Sequence, residues 1–173
     1  YQQWLSGTNI GIAKPVLITV DDSLKSEQAW DPLLQKYGFK AVMYTITGFL
    51  DQLTPGDSDP NNMTWADAQA LASNGRWQIA FHAGQYGHGD SYADTPPATI
   101  SLGAGVTESL SSSCPYFYSC LGTISTRTGT GKNKKTTTAT ETPAQAKARI
   151  ANEVNAGIAE LRSKVPSASM LSW

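Results

Sequence analysis

The chain alternates short apolar runs with stretches of helical spacing. Pro15 to Val20 (Pro-Val-Leu-Ile-Thr-Val) is a continuous β-branched run of the kind presented by a strand buried on both faces. It stops abruptly at Asp21-Asp22. Trp30, Leu33, Leu34 and Tyr37 then recur at helical spacing, with Ser26 placed to cap a helix and Gly38 placed to end it. Ala41 to Thr47 predicts a second buried strand, Thr64 with Asp67 a capping box for a helix ending near Gly75, and Trp77 to Phe81 a third strand. Thr142-Pro143, with Gln145 completing a capping box, opens a longer helix that carries Ile150, Val154, Ile158 and Leu161 on one face. Pro166 follows its end, and Ser169 to Trp173 reads as a fourth strand. Strands alternating with helices predict an α/β fold with a mostly parallel sheet, open or closed into a barrel.

Between about Gly84 and Thr142 the periodicity disappears into Gly, Ser, Thr, Pro and Tyr. This predicts a long loop, 84–141, inserted in the domain and acting as a lid or binding loop, with Thr123 to Thr140 as its most mobile part. Trp30, Trp65 and Trp77 read as core residues.

Composition narrows the picture. The 173 residues suit one domain, and a net charge of -1 gives no electrostatic footprint for nucleic acid. No apolar run reaches the 18 residues of a membrane span, and Tyr1 to Leu5 lacks the features of a signal peptide. Few charges and many Ser, Thr and Gly fit an extracellular or cell-wall-associated protein, cut from a secreted precursor whose signal peptide is absent here. Cys114 and Cys120, six apart, are too widely spaced for a CxxC motif. A small disulfide loop is expected, with two independent buried thiols as the alternative.

The candidate chemistry lies at strand ends. Asp21 and Asp22 follow the first strand, and the carboxyl ends of parallel strands are where catalytic groups gather. The competing reading makes one of them a helix cap and the other a solvent-facing side chain. His82 follows the third strand, and His88, six residues on, shares its Gly-rich loop; they are the only two histidines in the chain. Spacing of six excludes a shared helix face, but Gly84 and Gly87 permit a turn that brings both imidazoles to one ion. Two histidines and a carboxylate suit Zn(II), Fe(II), Co(II) or Ni(II), and a neighbouring carboxylate off the metal could accept a proton from water.

Three segments together carry a family resemblance: Pro15 to Asp22, Tyr37-Gly38-Phe39-Lys40-Ala41-Val42-Met43-Tyr44, and the stretch from Met63-Thr64-Trp65 through Gly75-Arg76-Trp77 to the His82 loop. They resemble the polysaccharide deacetylase family, the NodB-homology or carbohydrate esterase 4 group. Val20, Ser23 and the six-residue histidine spacing depart from the commoner pattern without removing a ligand. The resemblance implies a distorted (β/α) barrel of the NodB type, of which this chain supplies mainly the N-terminal half. A continuation or a second chain would complete it. It implies Asp21 as catalytic base and Asp22, His82 and His88 as ligands of one divalent ion, with zinc expected and cobalt, nickel or iron as alternatives. The implied activity is metal-dependent removal of N-acetyl groups from an N-acetylglucosamine-containing polysaccharide such as chitin, peptidoglycan or poly-N-acetylglucosamine. Acetyl xylan esterase activity and a non-catalytic, metal-stabilised carbohydrate-binding half-domain are the alternatives. Tyr86, Tyr116 and Tyr118 are candidates for stacking on sugar rings; the competing reading has Tyr116-Phe117-Tyr118 pinning the Cys114 to Cys120 loop.

Overall fold

A computed structural model of the chain describes residues 6–11, 13–50, 61–84, 100–109 and 121–168. The chain divides into two compact units: residues 1–45, 49–82 and 161–173 form the first, and 46–48 and 83–160 the second.

The first unit is built on a three-stranded sheet in the order β1 (Thr19–Val20), β2 (Ala41–Ile46), β3 (Trp77–Ala83). β1 runs parallel to β2 with Thr19 opposite Val42 and Val20 opposite Met43. β2 is buried along its whole length, as its unbroken apolar run requires of a central strand. Along β2 and β3 side chains alternate between faces, so Val42, Tyr44, Ala80 and His82 share one face while Met43, Ile79 and Phe81 fill the other. Val42, Tyr44 and Ala80 pack together as a buried cluster.

The helices follow local signals. A 3₁₀ turn, Lys25–Trp30, leads into α1, Asp31–Tyr37, where Pro32 sits within the first turn and Gly38 closes the helix in a left-handed conformation at φ 67°. The helix therefore begins after Trp30, later than Ser26 suggested. A short helical turn, α2, spans Thr47–Leu50. α3, Trp65–Ser73, starts with the expected reciprocal cap: Asp67 N–H donates to Thr64 Oγ1 at 3.2 Å and Thr64 N–H to Asp67 Oδ2 at 2.8 Å. The start of β3 is tied to α1 by Asp31, whose carboxylate accepts from Arg76 Nε at 2.9 Å, Trp77 Nε1 at 2.8 Å and Asn74 Nδ2 at 3.0 Å. The Arg76 bonds dominate in holding the Asp31 carboxyl below its ordinary pKa.

Two expectations about this unit are corrected. The first strand is short, and Val16 is 86% and Leu17 45% exposed. Only Thr19 and Val20 of the run form strand, and among the described residues β1 is the edge of the sheet, so the run does not lie between two covering layers. Trp30 is exposed rather than core, as are Leu33 and Tyr37. α1 has only seven residues, and Leu34 alone of its apolar stripe is buried. Trp77 is buried, as expected.

The second unit contains an antiparallel four-stranded sheet in the order β4 (Ile100–Gly103), β5 (Val106–Ser109), β6 (Thr123–Thr128), β7 (Lys135–Thr140). This corrects the reading of 84–141 as one long loop, Thr123 to Thr140 included: among the described residues it holds four paired strands. Thr123 to Thr140 is a hairpin in six-pair register, from Thr123 opposite Thr140 to Thr128 opposite Lys135. The branched Cβ of threonine favours the extended backbone, and an exposed antiparallel ribbon needs few apolar positions. Gly129, at φ 82°, makes the turn; a Cβ there would meet the Asn133 carbonyl.

α4, Pro143–Lys164, is capped by Thr142, whose N–H donates to Gln145 Oε1 at 2.9 Å. Within the second unit Glu141 and Arg149 form a buried bidentate pair, Nε to Oε1 at 3.0 Å and Nη2 to Oε2 at 2.9 Å. Among the described residues no helix is long and apolar enough to cross a membrane. The strand expected at Ser169 to Trp173 lies outside the described residues.

Candidate metal centre

β1 ends at Val20 and the chain turns sharply: Asp22 (φ 72°) and Ser23 (φ 62°) are both left-handed. Aspartate tolerates that conformation better than most residues, but two successive non-glycine residues there store strain of about 1–3 kcal/mol each. Ser23 is fully buried, and its Oγ has no hydrogen-bond partner among the described residues. Strain and a buried polar atom of this kind concentrate where geometry serves function.

The turn brings Asp22 to His82, which β3 projects on the face shared with Tyr44. Asp22 Oδ1 stands 3.5 Å from His82 Nε2. Good hydrogen bonds span about 2.7–3.2 Å, whereas two ligands of one tetrahedral ion at about 2.0–2.1 Å stand roughly 3.3 Å apart. One hard oxygen and one imidazole nitrogen at this separation fit a divalent first-row ion. Asp22 Oδ1 and His82 Nδ1 are both buried from solvent. Asp21, by contrast, is exposed.

Two residues with no distinctive sequence signal border this pair. Tyr44 is buried with its ring centroid 6.2 Å from that of His82, tilted by 54°. Strand alternation relative to His82 would have picked it out. Glu27, in the first turn after the aspartates, accepts the Leu24 N–H at Oε2, 2.9 Å away. Burial, followed by the like charges of Asp22 and Asp21, pushes its carboxyl from 4.5 to about 7, against that hydrogen bond.

The folded chain therefore favours protonated Glu27. Its contribution to stability is fully present below about 4.5 and is lost as pH rises through about 7. Glu27→Gln, which resembles the protonated form, should raise the melting temperature of chelator-treated protein at pH 8 and leave it unchanged at pH 4. Calorimetry at both pH values checks this; an equal shift at each would contradict it.

His88, the remaining ligand expected from the sequence, lies outside the described residues, as do Tyr86, Tyr116, Tyr118 and the pair Cys114 and Cys120. Among the described residues no group of three or more His, Cys, Asp or Glu is placed to hold a metal ion.

No family model and no curated protein matches the chain. Solved structures do. A de-N-acetylase from Aggregatibacter actinomycetemcomitans superposes with a TM-score of 0.60 at 19% identity, over 99% of this chain and 59% of that one. The BpsB deacetylase domain from Bordetella bronchiseptica gives 0.59 at 18%, over 99% and 60%. The chain thus shares the α/β fold of these deacetylase structures and spans about 60% of their length.

Proposed function

We propose that this protein is a metal-dependent hydrolase that removes N-acetyl groups from an N-acetylglucosamine-containing polysaccharide. The observation that carries the reading is the Asp22 and His82 pair, set 3.5 Å apart by a strained turn at the ends of β1 and β3, the strands that flank β2. Its occurrence on a fold shared with de-N-acetylases supports the choice of reaction.

Asp22 and His82 would hold the ion, with His88 as the third ligand. A divalent ion there, zinc by preference, supplies Lewis acidity toward the acetamide carbonyl and lowers the pKa of water. Asp21, exposed beside the pair, takes the proton from the attacking water. The substrate would be met outside the cell, with Tyr86, Tyr116 and Tyr118 as candidate sugar contacts. We also propose that the sheet belongs to a NodB-type barrel completed by a continuation or a second chain; the exposed apolar Val16 and Leu17, just before β1, support that view.

Acetate release from chito-oligosaccharide and from acetylated xylan, with zinc and after chelation, tests the proposal. Zinc-dependent release from the chito-oligosaccharide, lost in His82→Ala, is expected. Release from xylan alone would assign an esterase instead. Zinc binding with no release from either would assign a non-catalytic carbohydrate-binding half-domain. Activity that survives His82→Ala would eliminate the site.

A further inference from the structure

We infer that Glu27 is a positioning residue, which holds the Asp22-Ser23 turn in its left-handed form by clamping the backbone of Leu24. The inference rests on the metal-site reading above and assigns that site a support outside its ligands.

The turn does not hold itself. Residues at φ 72° and 62° with a side chain relax toward right-handed or extended backbone unless their surroundings over-determine them. Three contacts fix the chain immediately downstream. Met63 N–H donates to Ser23 O at 2.9 Å, and Lys25 N–H to Asn61 O at 2.6 Å, with Leu24 bridged to Asn62 between them. From the opposite direction Leu24 N–H donates to Glu27 Oε2 at 2.9 Å, while Glu27 N–H returns a bond to Leu24 O at 3.0 Å. The first two contacts are backbone to backbone. Glu27 supplies the side chain in the set, acting on Leu24, two residues past Asp22.

A helix cap alone would not explain this carboxylate. Asp67 occupies the same third position at the start of α3, and its pKa is lowered. Glu27 does the same local task while facing the like charges of Asp21 and Asp22, at an electrostatic cost that Asp67 does not bear. Supports behind metal ligands are worth about 10–100-fold in metal affinity.

Three substitutions separate reach from charge. Glu27→Gln keeps an acceptor oxygen at the same distance; Glu27→Asp keeps the charge and falls one methylene short of Leu24; Glu27→Ala loses both. By calorimetric titration with zinc at a temperature well below melting, Gln should stay within about threefold of the parent, while Asp and Ala lose about tenfold or more. Unchanged affinity in Asp and Ala, with only a lowered melting temperature, would make Glu27 a plain helix cap. A loss in Gln equal to that in Ala would assign the role to charge and overturn the clamp. If the parent binds no zinc, the metal-site reading fails separately. The clamp is then decided by the crystal structure of Glu27→Asp, where a left-handed Asp22 would overturn it.

Discussion

Asp21→Asn should lower acetate release by about 10²–10⁴-fold, the usual contribution of a positioned general base, while zinc affinity and KM stay close to the parent values. The expectation comes from the division of labour proposed for the turn, where Asp22 faces His82 and Asp21 is exposed beside it. A general base acts only in the transition state, so its loss appears in kcat. Steady-state kinetics together with zinc titration check this. If Asp21→Asn loses zinc and Asp22→Asn keeps it, the two roles are reversed. If both keep zinc and both remain active, neither aspartate serves the reaction.

The largest expected loss of stability lies away from that site, in the second unit. The Glu141 carboxylate accepts both Arg149 bonds and the Gly122 N–H at 3.0 Å, and the two side chains are only 1% and 5% exposed. Glu141→Ala would leave a guanidinium buried beside a cavity, which costs about 3–5 kcal/mol. Urea denaturation should show it as a lower midpoint with the slope retained. The double variant Glu141→Leu, Arg149→Met should recover most of that loss, because an apolar pair avoids desolvating either charge. A loss below about 1 kcal/mol in Glu141→Ala would mean that water or another protein group compensates Arg149.

Position in the chain decided what could be read in advance. β2 was plain from its apolar run, and both capping boxes from Thr64 with Asp67 and Thr142 with Gln145, since each depends on neighbours within a few residues. The hairpin at Thr123 to Thr140 was missed because its strands are threonine-rich and its burial slight, so no apolar alternation announced it. Val16, Leu17 and Trp30 misled in the opposite sense: apolar character marks a capacity to be buried, and these side chains, just before a two-residue strand and a seven-residue helix, stay exposed.

The candidate site divides in the same way. The sequence by itself determined which residues could bind a metal: two adjacent aspartates after an apolar strand and two histidines in a glycine-rich loop. The choice of Asp22 over Asp21 came from the family resemblance alone, and only the tertiary structure supplies a physical reason for Asp22 to turn toward His82: left-handed backbone at Asp22 and Ser23, held by residues 61–63 and by Glu27. Residue type sets what a side chain can coordinate. The direction it points is set by backbone dihedrals that distant hydrogen bonds select, and those bonds leave no local signal in the chain.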